Sequence, residues 1–241
     1  MIEKLLLKIR ARDELSAPEE AALRRLPGPP LKIPADKTII RAGDELTSST
    51  LLLDGFMCRY KDLRNGTRQV SELQVPGDFV DLHSFTLKRL DHSIMTLTPC
   101  VITTVAHDDL REITESFPRL TRILWFATNL DAAIHREWML SLGRRTAVAR
   151  IAHLICELRV RLSLVGLADR STFCLPLTQT DMAECMGLTA IHVNRTLRTL
   201  RERGLVTIHR GTVHISNLVE LERVGEFSTD YLFLQRPGPA E

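Results

Sequence analysis

Thr178–Arg203, TQTDMAECMGLTAIHVNRTLRTLRER, decides the reading of this chain. It parses as two short helices around a glycine turn. Thr178 and Asp181 stand at capping-box spacing, where hydroxyl and carboxylate satisfy the free amides of a helix start. Ala183 is small enough for a second helix to cross closely, and Gly187 accepts the positive φ of a tight turn. Thr189 caps the second helix, which turns Val193, Leu197 and Leu200 inward at helical spacing. His192, Asn194, Arg195, Arg198 and Arg201 are left outward. A helix built this way suits the major groove of DNA. An ordinary surface helical hairpin would carry the same caps.

The flanks favour the first reading. Leu205–His209 and Thr212–Ile215, joined through Arg210-Gly211, read as a β-hairpin directly after the basic helix, the position of a wing. Upstream, Thr146 caps a helix running to about Ser163, with Val148, Ile151, Ala152, Ile155 and Leu158 on its apolar face. Charge divides along the same line. The whole chain of 241 residues carries a net +2, yet the segment from Arg144 to Ile215 has 11 arginines, no lysine and 5 acidic residues. A basic module on a mildly acidic body is the electrostatic footprint of a nucleic-acid reader attached to something else.

Towards the N-terminus, Ser16-Ala-Pro-Glu19 is a helix start and Pro27-Gly-Pro-Pro30 a stop. From Leu31 to about Val105 the texture becomes β. The runs Lys37–Arg41, Thr50–Leu53, Met57–Leu63, Thr67–Val75, Ser93–Leu97 and Val101–Ala106 are separated by turns such as Asn65-Gly66 and Pro76-Gly77-Asp78. Short strands at this spacing predict an antiparallel sandwich or barrel, and a Rossmann fold is disfavoured by the absence of βαβ alternation and of GxGxxG. Asp108–Leu142 reads as helix with a break at Pro118. After the proline, Leu120, Ile123, Leu124, Ala127, Leu130, Ile134 and Trp138 recur at steps of three and four. A helix of roughly 24 residues spans about 36 Å. Such a stripe fits a coiled-coil-like dimer seam or packing on the β domain of the same chain. Gly143 is expected to end this helix, and Arg144-Arg145-Thr146 to open the basic module.

The fold class is therefore α+β, in four parts. Residues 1–117 form a β-roll sensor domain with N-terminal helices, 118–143 a long dimerisation helix, and 144–225 a winged helix-turn-helix; 226–241 form a tail, disordered at its Pro-Gly-Pro. The cysteines, Cys58, Cys100, Cys156, Cys174 and Cys185, are scattered without a Cys-x-x-Cys pair, which argues against disulfide frameworks and local metal or iron–sulfur sites. No metal or other cofactor is expected. No run of about 18 apolar residues predicts a membrane span. The start, MIEKLLLKIRARDEL, reads as an amphipathic helix and not as a secretory signal, so a cytoplasmic location is expected. Neither a Ser-His-Asp signature, a P-loop nor HExxH is present, so the chain does not read as an enzyme.

From Leu31 to about Ser216 the chain resembles the cyclic-AMP receptor protein/fumarate–nitrate regulator (CRP/FNR) family of bacterial transcription factors. The resemblance runs through Gly43, Gly55, Gly66 and Pro76-Gly-Asp-Phe79, the long helix after Pro118, the RxAVARIAHL segment, LTQTDMAECMGLTAIHVNR and the wing. It implies a homodimer on a two-fold-related site in double-stranded DNA, contact with RNA polymerase, and a β-roll pocket for a small-molecule effector. Where cyclic-nucleotide-binding members carry a glutamate for the ribose this chain has Leu82, and its phosphate region reads Leu90-Asp91-His92-Ser93, which argues against cyclic AMP. The clustered N-terminal cysteines of oxygen-sensing members are missing. Alignment with the family places His83, His92, His135 and Arg136 near the junction of roll and helix, as a small-anion site or as satisfied structural polar groups.

For DNA, the resemblance puts Ala190 and Ile191 where family members commonly use an arginine and a glutamate, and retains only Arg195 of the usual base-reading set. Arg195 is expected to read guanine, Ala190 and Ile191 to pack on thymine methyls, and His192 and Asn194 to contact bases or phosphates. Thr178, Gln179, Thr180 and Thr189 at helix starts, with Arg198, His209 and Arg210, are expected to hold phosphates. A competing function is a ligand-binding signalling module that acts through protein contacts and not through DNA.

Overall fold

The computed structural model describes residues 1–234. The elements are α1 (Glu3–Arg10), α2 (Ala17–Arg25), β1 (Leu31–Ile33), β2 (Thr38–Ile40), β3 (Ser48–Asp54), β4 (Met57–Asp62), β5 (Arg68–Gln74), α3 (Ser84–Leu87), β6 (Ser93–Thr96), β7 (Cys100–Ala106), α4 (His107–Ser116), α5 (Pro118–Arg144), α6 (Ala147–Ser163), β8 (Thr172–Cys174), α7 (Gln179–Met186), α8 (Ala190–Glu202), β9 (Val206–His209), β10 (Thr212–Ile215) and α9 (Leu218–Gly225), then a 3-10 turn at Asp230–Leu232. The chain divides into two compact units. Among the described residues the first holds 1–61, 72–133 and 232–234, and the second 62–71 and 134–231.

In the first unit, two antiparallel sheets with orders β1-β7-β3 and β2-β6-β4-β5 form the roll. Successive residues of a strand point to opposite faces, so Leu51 and Leu52 of β3 serve different cores. Leu51 joins Leu6, Leu23, Leu110 and Leu120 under the helices, while Leu52 joins Met57, Val80 and Ile94 inside the roll. The Pro76-Gly77-Asp78 turn lies against α1, and Gly77 is required there twice over. Its φ is +92°, and a Cβ would stand 2.8 Å from the backbone of Lys4.

The roll interior also holds a charge network. Arg59, 1% exposed, donates to Glu72 at 2.7 Å, Asp131 at 2.8 Å and the Val80 carbonyl at 2.7 Å. Asp81, fully buried, accepts from the Thr50 amide, and burial pushes its carboxyl up to about 7.

Helix α5 corrects one expectation. It runs through Gly143 to Arg144, since Gly143 keeps a helical backbone and meets no obstruction. Much of the apolar stripe packs inside the chain. Leu120, Ile123 and Leu124 belong to the core beneath the roll, and Ala127 packs against it. Leu130 is half-buried, Ile134 is buried, and Trp138 is 3% exposed with its indole N–H donating to Glu157 at 3.0 Å. Apolar side chains that α5 leaves in solvent are Trp125, Met139 and Leu140, at 68%, 72% and 48% exposure.

In the second unit α6 packs on α8 and α9. Ile151, Leu154 and Leu158 of α6, Val193 and Leu200 of α8 and Leu221 of α9 fill its centre. At Gly225 the backbones nearly touch, since a Cβ would lie 2.8 Å from the His153 amide nitrogen. Residues 226–231 fold back as structure and not as tail. The Tyr231 hydroxyl donates to Glu157 at 2.9 Å and meets His153 at 3.1 Å. Pro237-Gly238-Pro239 lies outside the described residues. No helix among the described residues is long and apolar enough to cross a membrane.

Candidate nucleic-acid interface

Local chemistry sets the helix-turn-helix. The Thr178 hydroxyl accepts from the Asp181 amide at 3.1 Å while Asp181 accepts from the Thr178 amide at 2.7 Å, a reciprocal cap. Such a cap stabilises a helix start by about 1 kcal/mol. Gly187 ends α7 in the left-handed conformation, φ 60°. Arg150 holds the turn from below, donating to the Met186 and Leu142 carbonyls at 2.9 and 2.8 Å. Gln69, from the β4–β5 hairpin, donates to the Glu184 carbonyl at 2.9 Å and so satisfies the carbonyl end of α7. Thr189 then caps α8 by accepting from the His192 amide at 3.2 Å.

Helix α8 has one buried and one open face. Val193 and Leu200 are buried, Leu197 is half-buried, and Thr196 is buried as well, which apolar periodicity does not reveal. Ile191, His192, Asn194, Arg195 and Arg198 are exposed, and Ala190 is half-exposed at the helix start. Ile191 is 73% exposed, a placement that apolar burial alone never selects. Among the described residues, none bonds to the Arg195 guanidinium. Arg198 instead donates to Glu202 at 2.7 Å, so part of its charge is answered within the helix. Thr178, Gln179, Thr180 and Thr189 are exposed at the two helix starts, where free amides favour an anion.

Residues 206–215 form the wing, β9 pairing with β10 through Val206↔Ile215 and His209↔Thr212. The two-residue turn has φ 49° at Arg210 and 75° at Gly211. Positive φ at both central positions is the geometry of a tight hairpin turn whose twist matches its strands. At Arg210 it costs about 1 kcal/mol of backbone strain and sets an arginine at the wing tip, beside exposed His209. β8 adds a third strand on the other side of β10 through Val213↔Phe173. Three residues between a loop and a proline left no periodic signal for it.

The four expected effector residues divide. His83 and His92 face each other in the roll with ring centroids 5.2 Å apart, and His92 bonds Asp91 at 2.9 Å. Asp91 also pairs with Lys61 at 2.5 Å, and these contacts hold its carboxyl well below the usual range. His135 and Arg136 lie on α5 within the second unit. Among the described residues no group of three or more His, Cys, Asp or Glu is placed to hold a metal. Four cysteines are buried and Cys174 is exposed.

This arrangement matches known proteins in both units. The Crp-like helix-turn-helix domain matches residues 149–224 and the cyclic nucleotide-binding domain residues 30–117. Transcriptional activator protein FnrL of Cereibacter sphaeroides is 30% identical over 186 residues, covering 75% of this chain and 73% of that protein. A probable transcriptional activator of Rhizobium leguminosarum bv. viciae is 32% identical over 196 residues, covering 80% of each. Among solved structures, FixK2 from Bradyrhizobium japonicum superposes with a TM-score of 0.75 at 23% identity, over 81% of this chain and 96% of that one.

Proposed function

The chain belongs to the CRP/FNR family of DNA-binding transcriptional regulators, and from that premise we propose that it binds an inverted-repeat operator as a homodimer, with Arg195 reading a guanine in each half-site. The observation that carries the reading is the open face of α8. Arg195 stands exposed there, its guanidinium free of described partners, one turn from the exposed Ile191. A guanidinium can donate to guanine O6 and N7 together, while an aliphatic side chain discriminates by contact with thymine methyls. The helix-start threonines and the wing tip position the protein on the phosphates, and the basic module supplies the charge. RNA polymerase contact follows from the same family reading.

The dimer seam moves to the other side of α5. Trp125, Ala132 and Met139 recur every seven residues, and Trp125 and Met139 stand in solvent. That repeat suits a left-handed helix pair. Family regulators of this type are dimers, and in this arrangement two recognition helices lie about 34 Å apart, one turn of duplex. We infer that the ligand is not cyclic AMP. Leu82 is buried at the ribose position, and Asp91, already tied to Lys61, occupies the phosphate region with a negative charge.

Selection from a random duplex library tests the reading directly. The expected product is an inverted repeat with half-site centres about one helical turn apart. Met139→Glu should shift sedimentation towards monomer and lose the inverted repeat together. Selection of no sequence, with a salt-independent affinity, would leave only a protein-contact role.

A further inference from the structure

A cavity of about 430 Å³ lies between α1, the Pro76-Gly77-Asp78 turn and the first half of α5, wholly within the first unit. That size is in the range of small-molecule sites. Its walls are largely apolar: Leu5 and Ile9 from α1, Phe79 and Leu82 after the turn, Phe126 and Leu130 from α5. None of His83, His92, His135 or Arg136 lines it. α1 and α5 both fall outside residues 30–117, the extent of the cyclic nucleotide-binding match, so most of this wall comes from segments beyond that match.

The charges at the cavity decide what can enter. Each of its carboxylates already faces a cation: Asp78 pairs with Lys8, Asp13 with Arg119 at 2.5 Å, and Asp131 with Arg59 at 2.8 Å. Arg12 donates to the Leu232 carbonyl at 3.0 Å and lies 5.9 Å from the centre of the Phe126 ring. Arg122 is exposed at the cavity, and no described residue bonds to its guanidinium. The Arg122 guanidinium thus sets an unanswered positive charge beside an apolar hollow. A cationic ligand would find every carboxylate taken, whereas a carboxylate would meet a guanidinium, the donor best shaped for it.

We propose that this cavity binds a small monocarboxylate with an apolar body, its carboxylate held by Arg122 and its body between α1 and α5. The seam residues Trp125 and Ala132 lie on the opposite face of α5 from Ile123, Ala127 and Leu130, at 100° per residue. A dimer along that seam therefore leaves the hollow at Ile123, Ala127 and Leu130 uncovered, with Arg122 on the flank between the two faces, about 60° round the helix from Trp125. The proposal gives a place and a ligand class to the effector, and in that role it rests on the regulator reading; binding is measured on protein without DNA, so the two fail separately.

Calorimetry on the full chain with 4-phenylbutyrate and decanoate, and with 4-phenyl-1-butanol as the neutral control, provides the test. Both acids should bind saturably and more tightly than the alcohol. Arg122→Gln, at an exposed position, should weaken the acids about tenfold and leave the alcohol unchanged. Ala127→Phe should fill the hollow and abolish all three; Leu130→Trp serves if that variant does not melt cooperatively. No saturable binding of either acid up to millimolar concentration, equal affinity for acid and alcohol, or acid binding untouched by Arg122→Gln and by the filled variant would each overturn the proposal.

Discussion

Arg59 in the roll and Arg195 on α8 are the same side chain in opposite surroundings. Arg59 is 1% exposed and spreads its donors over Glu72, Asp131 and the Val80 carbonyl. Arg195 is exposed, and no described residue answers its charge. The first is bound within the protein and holds strand, turn and helix together. The second keeps its donors for something that arrives. Charge alone therefore says little about role; the number of donors left over says much more.

Substitution should separate the two most strongly at Arg59. Arg59→Leu strands the carboxylate of Glu72 in the interior, and removing one partner of a buried pair costs about 3–5 kcal/mol. Urea unfolding of the full chain should show that loss, while Arg195→Ala changes stability by less than about 0.5 kcal/mol. Equal losses at the two sites would erase the distinction.

Arg195→Ala should act on recognition instead, removing about 1–3 kcal/mol of discrimination at one guanine per half-site. Arg210→Ala gives the contrast. It should weaken selected and random duplexes alike and lower the salt slope by about one. Competition binding at two salt concentrations distinguishes them. A uniform loss for Arg195→Ala would move that residue from base reading to phosphate contact.

The smallest expected effect is a pH dependence inside the roll. Burial raises the Asp81 carboxyl from its ordinary 3.8 to about 7. The folded chain then holds a proton that the unfolded chain has released, so this group favours folding increasingly as pH falls from above about 7 towards about 4. His153 works the other way, because burial lowers its affinity for a proton and the unfolded chain takes it up first on acidification. Melting temperatures between pH 5 and 8 should lose the Asp81 component in Asp81→Asn and keep the His153 component. An unchanged profile in that variant would mean that Asp81 stays ionised beside Arg59.

Much of the DNA-reading module was legible because its signals are local. Thr178 with Asp181, Gly187 and Arg210-Gly211 state their geometry within four residues of chain. Long-range relations were not legible. Arg59 reaches Glu72 on the neighbouring strand and Asp131 on a distant helix, and no spacing rule joins them. Apolar periodicity found the right stripe on α5 but not what covers it. A stripe at steps of three and four describes a face equally well whether a partner or the same chain lies against it. Leu120 and Trp138 turned inward, and the thinner repeat of Trp125, Ala132 and Met139 was the one left outside. Of the three-residue strands, β1 and β8 fell below any periodic signal, while β2 lay within the run Lys37–Arg41.

The near-contact at Gly225 offers geneticists a handle. Any side chain there must prise α9 from the His153 backbone, loosening the module beneath its reading surface without altering a single group that faces the duplex. Gly225→Ala is thus suited to a heat-sensitive allele, one that reads its operator normally in the cold and lets go on warming.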